Sequence, residues 1–190
     1  LPGAAGGVEY QWMEHIIRLV RPEEWRKAKE LRLFALTDPA APIAFLDTYE
    51  NAATRSDEQW QHRAHTPSFI AEGPDGEWAG SVSILVEVPG EDSVFGGDAV
   101  MPQTHLVGVF VRPEHRGTGL AEALFRAALD WSWSLGDPRV ERVRLFVHER
   151  NVRAEGLYRK LGFERTGVTV EVEGDASAIE YEMAVARPVL

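Results

Sequence analysis

Between Val107 and Ala121 the chain changes its hydrophobic period, and it does so across two glycines. The run is Val-Gly-Val-Phe-Val-Arg-Pro-Glu-His-Arg-Gly-Thr-Gly-Leu-Ala. Its β-branched and aromatic start reads as a strand, and Pro113 stops it because proline cannot donate to a ladder. From Leu120 onward, Leu124, Ala127, Ala128, Trp131 and Leu135 follow helical spacing until Gly136-Asp137-Pro138 ends the helix. A strand that becomes a helix through Arg116-Gly117-Thr118-Gly119 restricts the fold to an α/β type, with that helix packed on a sheet. Glycines also allow close backbone approach to a ligand. The unpaired N–H groups of the new helix attract anions, and Arg116 adds a fixed positive charge. The loop lacks the Gly-Lys-Ser/Thr ending of a Walker motif. It also lacks the third small residue of a dinucleotide fingerprint, since Glu122 stands there. Taken alone, these residues fit a glycine-rich turn without a ligand as well as they fit an anion site.

The flanking elements read as follows. A strand holds Ile16, Ile17, Leu19 and Val20, and Pro22 with Glu23 and Glu24 opens a helix carrying Trp25, Ala28, Leu31, Leu33 and Ala35. A second helical stretch spans residues 43–53, and Ser56 with Gln59 forms a capping box ahead of Trp60. Strands are expected over 68–72, 77–88 and 104–112, the first two joined by Gly73-Pro74-Asp75-Gly76. Residues 89–101, rich in glycine, aspartate and proline, read as a loop. Val143, Leu145 and Val147 alternate as a strand. Asn151 caps a helix with Ala154, Leu157, Tyr158 and Leu161, which Gly162 closes. Residues 163–172 and 178–185 form a last hairpin. At 190 residues this is one domain. Residues 1–12 read as a flexible leader or tag remnant, with Met13 a plausible start and one domain over 13–190.

The segment Asn151-Val152-Arg153-Ala154-Glu155-Gly156-Leu157-Tyr158-Arg159-Lys160-Leu161-Gly162-Phe163 follows directly on a strand. Together with the Arg116 loop it resembles the GNAT-type N-acetyltransferases. The match is to their Gln/Arg-x-x-Gly-x-Gly/Ala loop and their Asn-x-x-Ala-x-x-x-Tyr-x-x-x-Gly-Phe helix, and it covers residues 106–163. Ala121 stands where many relatives carry glycine, which the family pattern allows.

The resemblance implies a mixed, mostly antiparallel sheet of six to seven strands flanked by helices, with a bulged strand splayed from its neighbour. It implies acetyl-CoA as co-substrate and no metal. Val109, Phe110 and Val111 would face the pantetheine arm through main-chain groups. Arg116, Gly117, Thr118, Gly119, Leu120 and Ala121 would surround the pyrophosphate, with Asn151, Ala154 and Phe163 nearby. Tyr158 would be the general acid that protonates the departing thiolate. An N–H near Phe110 or Val111 would stabilise the developing oxyanion. The base is weakly marked: His105 ranks first and Glu72 second, with a surface position the competing reading for His105.

The rest of the sequence bounds the partners. The formal charge of −10 and the absence of a dense Lys/Arg cluster speak against nucleic acid and anionic membranes. They favour polyamines, aminoglycoside-like compounds or basic peptides as acceptors. No cysteine is present, which excludes disulfides and a thiol nucleophile and fits a cytoplasmic setting. Trp131 fits the core face of its helix and Trp133 does not. Trp25, Trp60 and Trp78 are expected in the core, with an acceptor pocket as the alternative. Glu58, His62 and His65 have metal-like spacing but read as a solvated face. The function expected is acetyl transfer to a primary amine of a small molecule or peptide, and a homodimer is possible. The alternative is a non-catalytic acyl-CoA sensor of the same fold.

Overall fold

The computed structural model describes residues 9–189. Eight strands form one sheet in the order β1-β2-β3-β4-β5-β6-β8-β7. They are β1 (Tyr10–Trp12), β2 (His15–Leu19), β3 (Ser68–Glu72), β4 (Trp78–Glu87), β5 (Gln103–Val111), β6 (Arg142–His148), β7 (Glu164–Val172) and β8 (Asp175–Ala186). Only β5 and β6 run parallel. The helices are α1 (Trp25–Leu36), α2 (Ala41–Ala44), α3 (Tyr49–Ala53), α4 (Asp57–Arg63), α5 (Leu120–Ser134) and α6 (Val152–Lys160).

The sheet exceeds the expected six to seven strands because it begins before Met13. Tyr10 pairs with Ile17 and Trp12 with His15, so residues 10–12 are a strand rather than a flexible leader. Residues 1–8 of that expected leader lie outside the described residues. The helix read over 43–53 is two helices. Phe45 leaves helical dihedrals (φ −138°, ψ 143°), and the Thr48 side chain accepts from Asn51 N–H to start α3 afresh. A capping threonine offers the backbone an alternative to continuing a helix. At α4 the capping box is formed as read, between Ser56 and Gln59.

One face of the sheet is covered by α5 and α6. Leu120, Leu124, Phe125, Ala127 and Ala128 pack on Val82, Ile84, Leu106, Val143 and Leu145, at the helical spacing the sequence set. Each fully buried Leu or Phe here contributes about 1.5–3 kcal/mol of burial. Trp131 packs partly on this core, and so does Trp133, contrary to its expected outward position. The opposite face carries α1, whose Leu31 and Ala35 meet Ile70, Trp78 and Phe110. Trp25 and Trp60 join Leu36 and Ala52 in a third cluster. Thus all three tryptophans in question are core residues, though Trp60 and Trp78 also border the cavity described next.

Candidate active site

The parallel pairing of β5 and β6 lasts only from Gln103↔Arg142 to His105↔Arg144, and no pairing continues past that point. From Leu106 onward, β5 has no strand partner on its β6 side. The two strands splay into a V, and a cavity of about 1080 Å³ fills it. The bulge that the resemblance implied is also present. Ser81 faces Phe110 and Ser83 faces Val107, so Val82 opposes both Gly108 and Val109. Gly108 takes φ +62°, a conformation other residues adopt only with strain. The ladder resumes at Phe110 and Val111, so the residues displaced by the bulge are Gly108 and Val109, slightly upstream of the expected oxyanion donors.

At the other end of β5, Gly117 (φ +78°) and Gly119 (φ +84°) both take left-handed backbone, and Gly119 is the N-cap of α5. A Cβ on Gly117 would meet nothing within 4 Å, so the loop is open there to a ligand. A Cβ on Gly119 would sit 2.9 Å from the Trp12 indole, so β1 backs the loop directly. This cradle fits a pyrophosphate: open glycine backbone, free helix N–H groups and a guanidinium. Arg116 is held by its own Nε–H, which donates to Val111 O at 3.0 Å, and by an ion pair to Asp38 after α1. Burial works against ionisation of Asp38, but Ala40 N–H and Arg116 outweigh it and hold that carboxyl below its usual range.

The cavity gathers most of the residues expected at the cofactor. Val109, Phe110, Val111 and Arg116 line it, as do Gly117, Gly119 and Ala121. Asn151, Ala154 and Tyr158 line it from α6 and its cap. Three expected residues do not line it. Thr118 donates its hydroxyl to His115 O at 2.7 Å. Leu120 and Phe163 are about 1% exposed in the core, where Phe163 stands beneath Phe125 and Tyr158. Asn151 Oδ1 is committed to capping, since it accepts from Ala154 N–H at 3.3 Å. Burial alone pushes the Tyr158 phenol up, so it stays protonated at neutral pH.

The two candidate bases part company. Glu72 ends β3 in ion pairs with Arg18 (2.9 Å) and Lys27 (3.7 Å) and does not line the cavity. His105 does line it, and it is buried rather than on the surface. Its Nδ1 lies 2.9 Å from Glu87 Oε1, while Glu87 Oε2 accepts from Gln103 Nε2 (2.6 Å) and Arg144 Nε (2.9 Å). Arg144 also donates to Glu182 (3.0 Å) and to the carbonyls of Phe95, Gly96 and Gly97. One buried guanidinium therefore ties β4, β6 and β8 to the loop between β4 and β5. Gly96 allows that seat: at φ +80°, a Cβ there would overlap the Phe146 ring at 2.2 Å.

Burial would raise the Glu87 carboxyl, but hydrogen bonds from His105, Arg144 and Gln103 outweigh it and hold it at about 2. A carboxyl depressed on folding stabilises the fold above its unfolded value and loses that stabilisation as pH falls through its folded value. The melting temperature is therefore expected to fall between about pH 4.5 and pH 2. Thermal denaturation across that range checks this, with Glu87→Gln expected to start lower at pH 7 and to show a shallower acid slope.

Glu180 and His148 are among the cavity residues that escaped the sequence. Glu180 on β8 faces His148 across the β6–β8 ladder, and burial raises its carboxyl. His148 Nδ1 accepts from Arg150 N–H at 3.1 Å, which leaves Nε2 as the protonated nitrogen of the neutral ring. The available signal was the i, i+2 pair Glu180 and Glu182, which put two carboxylates on one face of a strand. Glu58, His62 and His65 are exposed, in line with their reading as a solvated face. Among the described residues no helix is long and apolar enough to cross a membrane.

A sequence profile of the acetyltransferase (GNAT) family matches residues 20–163. Over 75 residues the chain is 43% identical to a mycothiol acetyltransferase from Thermobispora bispora, covering 40% of this chain and 24% of that one. Over 69 residues it is 33% identical to a putative [ribosomal protein bS18]-alanine N-acetyltransferase from Bacillus subtilis, covering 36% and 44%. The chain thus spans less than half the length of either relative. The fold matches yncA, a putative acetyltransferase from Salmonella typhimurium solved with its cofactor acetyl-CoA. That superposition has a TM-score of 0.67 at 18% identity, over 93% of this chain and 95% of that one. The chain belongs to the GNAT acetyltransferase family, a class of acyl-CoA-dependent N-acetyltransferases.

Proposed function

We propose that this chain transfers an acetyl group from acetyl-CoA to a primary amine of a small molecule or peptide by direct attack. The observation that carries this reading is the V between β5 and β6, which puts the anion loop and Tyr158 on one cavity. The names of the relatives, one for mycothiol and one for a ribosomal-protein alanine, agree with an amine-bearing small molecule or protein. Acetyl-CoA supplies the acetyl group as an activated thioester. Gly117, Gly119, Ala121 and Arg116 hold the pyrophosphate end, and main chain of Val109 to Val111 lies along the arm. His105, kept by ionised Glu87 as the Nδ1–H tautomer, presents Nε2 as the acceptor of the amine proton. Main-chain N–H at the bulge meets the charge that develops on the carbonyl oxygen. As the carbon–sulfur bond breaks, Tyr158 gives its proton to the sulfur.

Release of free thiol from acetyl-CoA across a panel of primary amines tests the reading. His105→Gln should lower kcat about a hundredfold with CoA affinity unchanged. Wild-type turnover in that variant would remove His105 from the mechanism. Tight CoA binding with no acetyl-CoA consumed by any amine would return the sensor reading.

A further inference from the structure

Four charged residues on the helical wall of the cavity, Arg32 of α1, Asp47, Arg55 and Arg63 of α4, are unbalanced in charge. Three guanidiniums meet one carboxylate. Asp47 Oδ2 lies 2.7 Å from Arg55 Nη2 and 4.0 Å from Arg32 Nη2. Its Oδ1 accepts from Asn51 Nδ2 (2.7 Å) and Thr48 N–H (3.0 Å), so Asp47 is fixed in place and can offset a single cation. Arg32 Nε, Arg55 Nη1 and Trp60 Nε1 are buried donors without a hydrogen-bond partner among the described residues, against a single unmet acceptor in the cluster, Asp47 Oδ2. Buried donors left unmet cost free energy that a bound acceptor would recover.

Aromatic rings pack beside these cations at the cavity wall. Arg32 lies over Phe45 at 4.5 Å, and Arg55 and Arg63 lie 5.5 and 5.9 Å from the Trp60 ring. Arg32 Nη1 is 4.0 Å from the point a Cβ on Gly108 would occupy, which places the cluster at the bulge. The pyrophosphate cradle is separate, at Gly117 and the start of α5. Burial, then the nearby Arg63 and Arg55, push Arg32 down to about 10, so it remains charged at neutral pH and would be relieved by an anion.

We infer that Arg32, Arg55 and Arg63 form a subsite for a carboxylate carried by the substrate at the acyl-transfer end of the cavity. The inference rests on the transferase reading above and names the substrate class that reading leaves open. A carboxylate is a planar two-oxygen acceptor that matches guanidinium forks. The overall charge of −10 pointed to cationic acceptors, but this wall has the opposite sign. The carboxylate belongs either to an amino acid-like acceptor or to a dicarboxylic acyl group on CoA.

Two kinetic arms separate these sources. In the first, 3-aminopropionate, 4-aminobutyrate and 5-aminopentanoate are compared with their amides as acceptors of acetyl-CoA. In the second, succinyl-CoA is compared with acetyl-CoA using the amides. Preference for the carboxylate in either arm, by roughly tenfold to a hundredfold in kcat/KM, and its loss in Arg55→Gln and Arg63→Gln, supports the subsite and identifies its source. Equal rates in both arms overturn it. Glutarate, which has no amine, gives a readout independent of turnover. If it raises the melting temperature of the wild type but not of Arg63→Gln, the subsite stands even if no amine is acetylated, and only the transferase reading fails. No shift with glutarate and no preference in either arm sinks the inference alone.

Discussion

Replacing Tyr158 with Phe will lower kcat about a hundredfold to a thousandfold at saturating acetyl-CoA and leave CoA affinity within about twofold. The size follows from the proton donation proposed for the hydroxyl. It sits at the end of a ring packed 5.3 Å from Phe125 and 6.2 Å from Phe163, so the variant keeps the same ring in the same place. Burial holds the phenol in its protonated form, and the variant removes the proton without disturbing the loop at Gly117 and Gly119. The loss should fall on kcat and kcat/KM together, because the interaction belongs to the transition state. Steady-state thiol release beside direct titration of CoA separates the two quantities. A variant that binds CoA poorly, or turns over like the wild type, would remove Tyr158 from the role of proton donor.

Arg144→Ala should cost about 3–5 kcal/mol of folding free energy, the largest stability effect expected from one surface-distant side chain. The guanidinium is about 1% exposed and answers two carboxylates and three carbonyls. Without it Glu87 and Glu182 remain buried with one cation fewer, and the carbonyls of Phe95, Gly96 and Gly97 lose their donor. For a chain of this size the melting temperature should drop by roughly 10 °C or more. Arg144→Lys should not restore it, since an ammonium cannot reach acceptors on both sides of a planar fork. Urea denaturation at neutral pH measures the loss. Limited proteolysis should find the β4–β5 loop cut first in the variant, because that loop is what Arg144 fastens.

The parts of this chain that were legible in sequence were those encoded locally. The change of period at Gly117 and Gly119 placed β5 and α5, and the core face of α5 followed from spacing alone. Asn151 was legible as a helix cap, whereas the role expected of Tyr158 came from the resemblance of its segment to the family's helix. What escaped was assembled across the sheet. Glu87, His105, Arg144 and Glu182 come from four strands and each reads singly as an outward-facing charge on an alternating strand. Only strand order shows that they join in one buried hydrogen-bonded network. Glu72 was a reasonable base by type and position, yet its ladder with β2 gives it to Arg18. The break between α2 and α3 was missed because residues 43–53 read as one helical stretch, whereas Thr48 caps a new helix within it.

The indole of Trp12 against Gly119 bears on how much of this domain could be transplanted or trimmed. Both recognisable motifs lie between residues 106 and 163, and a profile of the family finds its match from residue 20. The pillar under the Gly117–Gly119 loop stands outside that span, on the short strand β1. A segment cut at the motif boundaries would therefore keep every signature residue and lose the wall that holds the loop in shape. Modularity in this fold is set by which strand the loop leans on, and that strand lies about a hundred residues away along the chain.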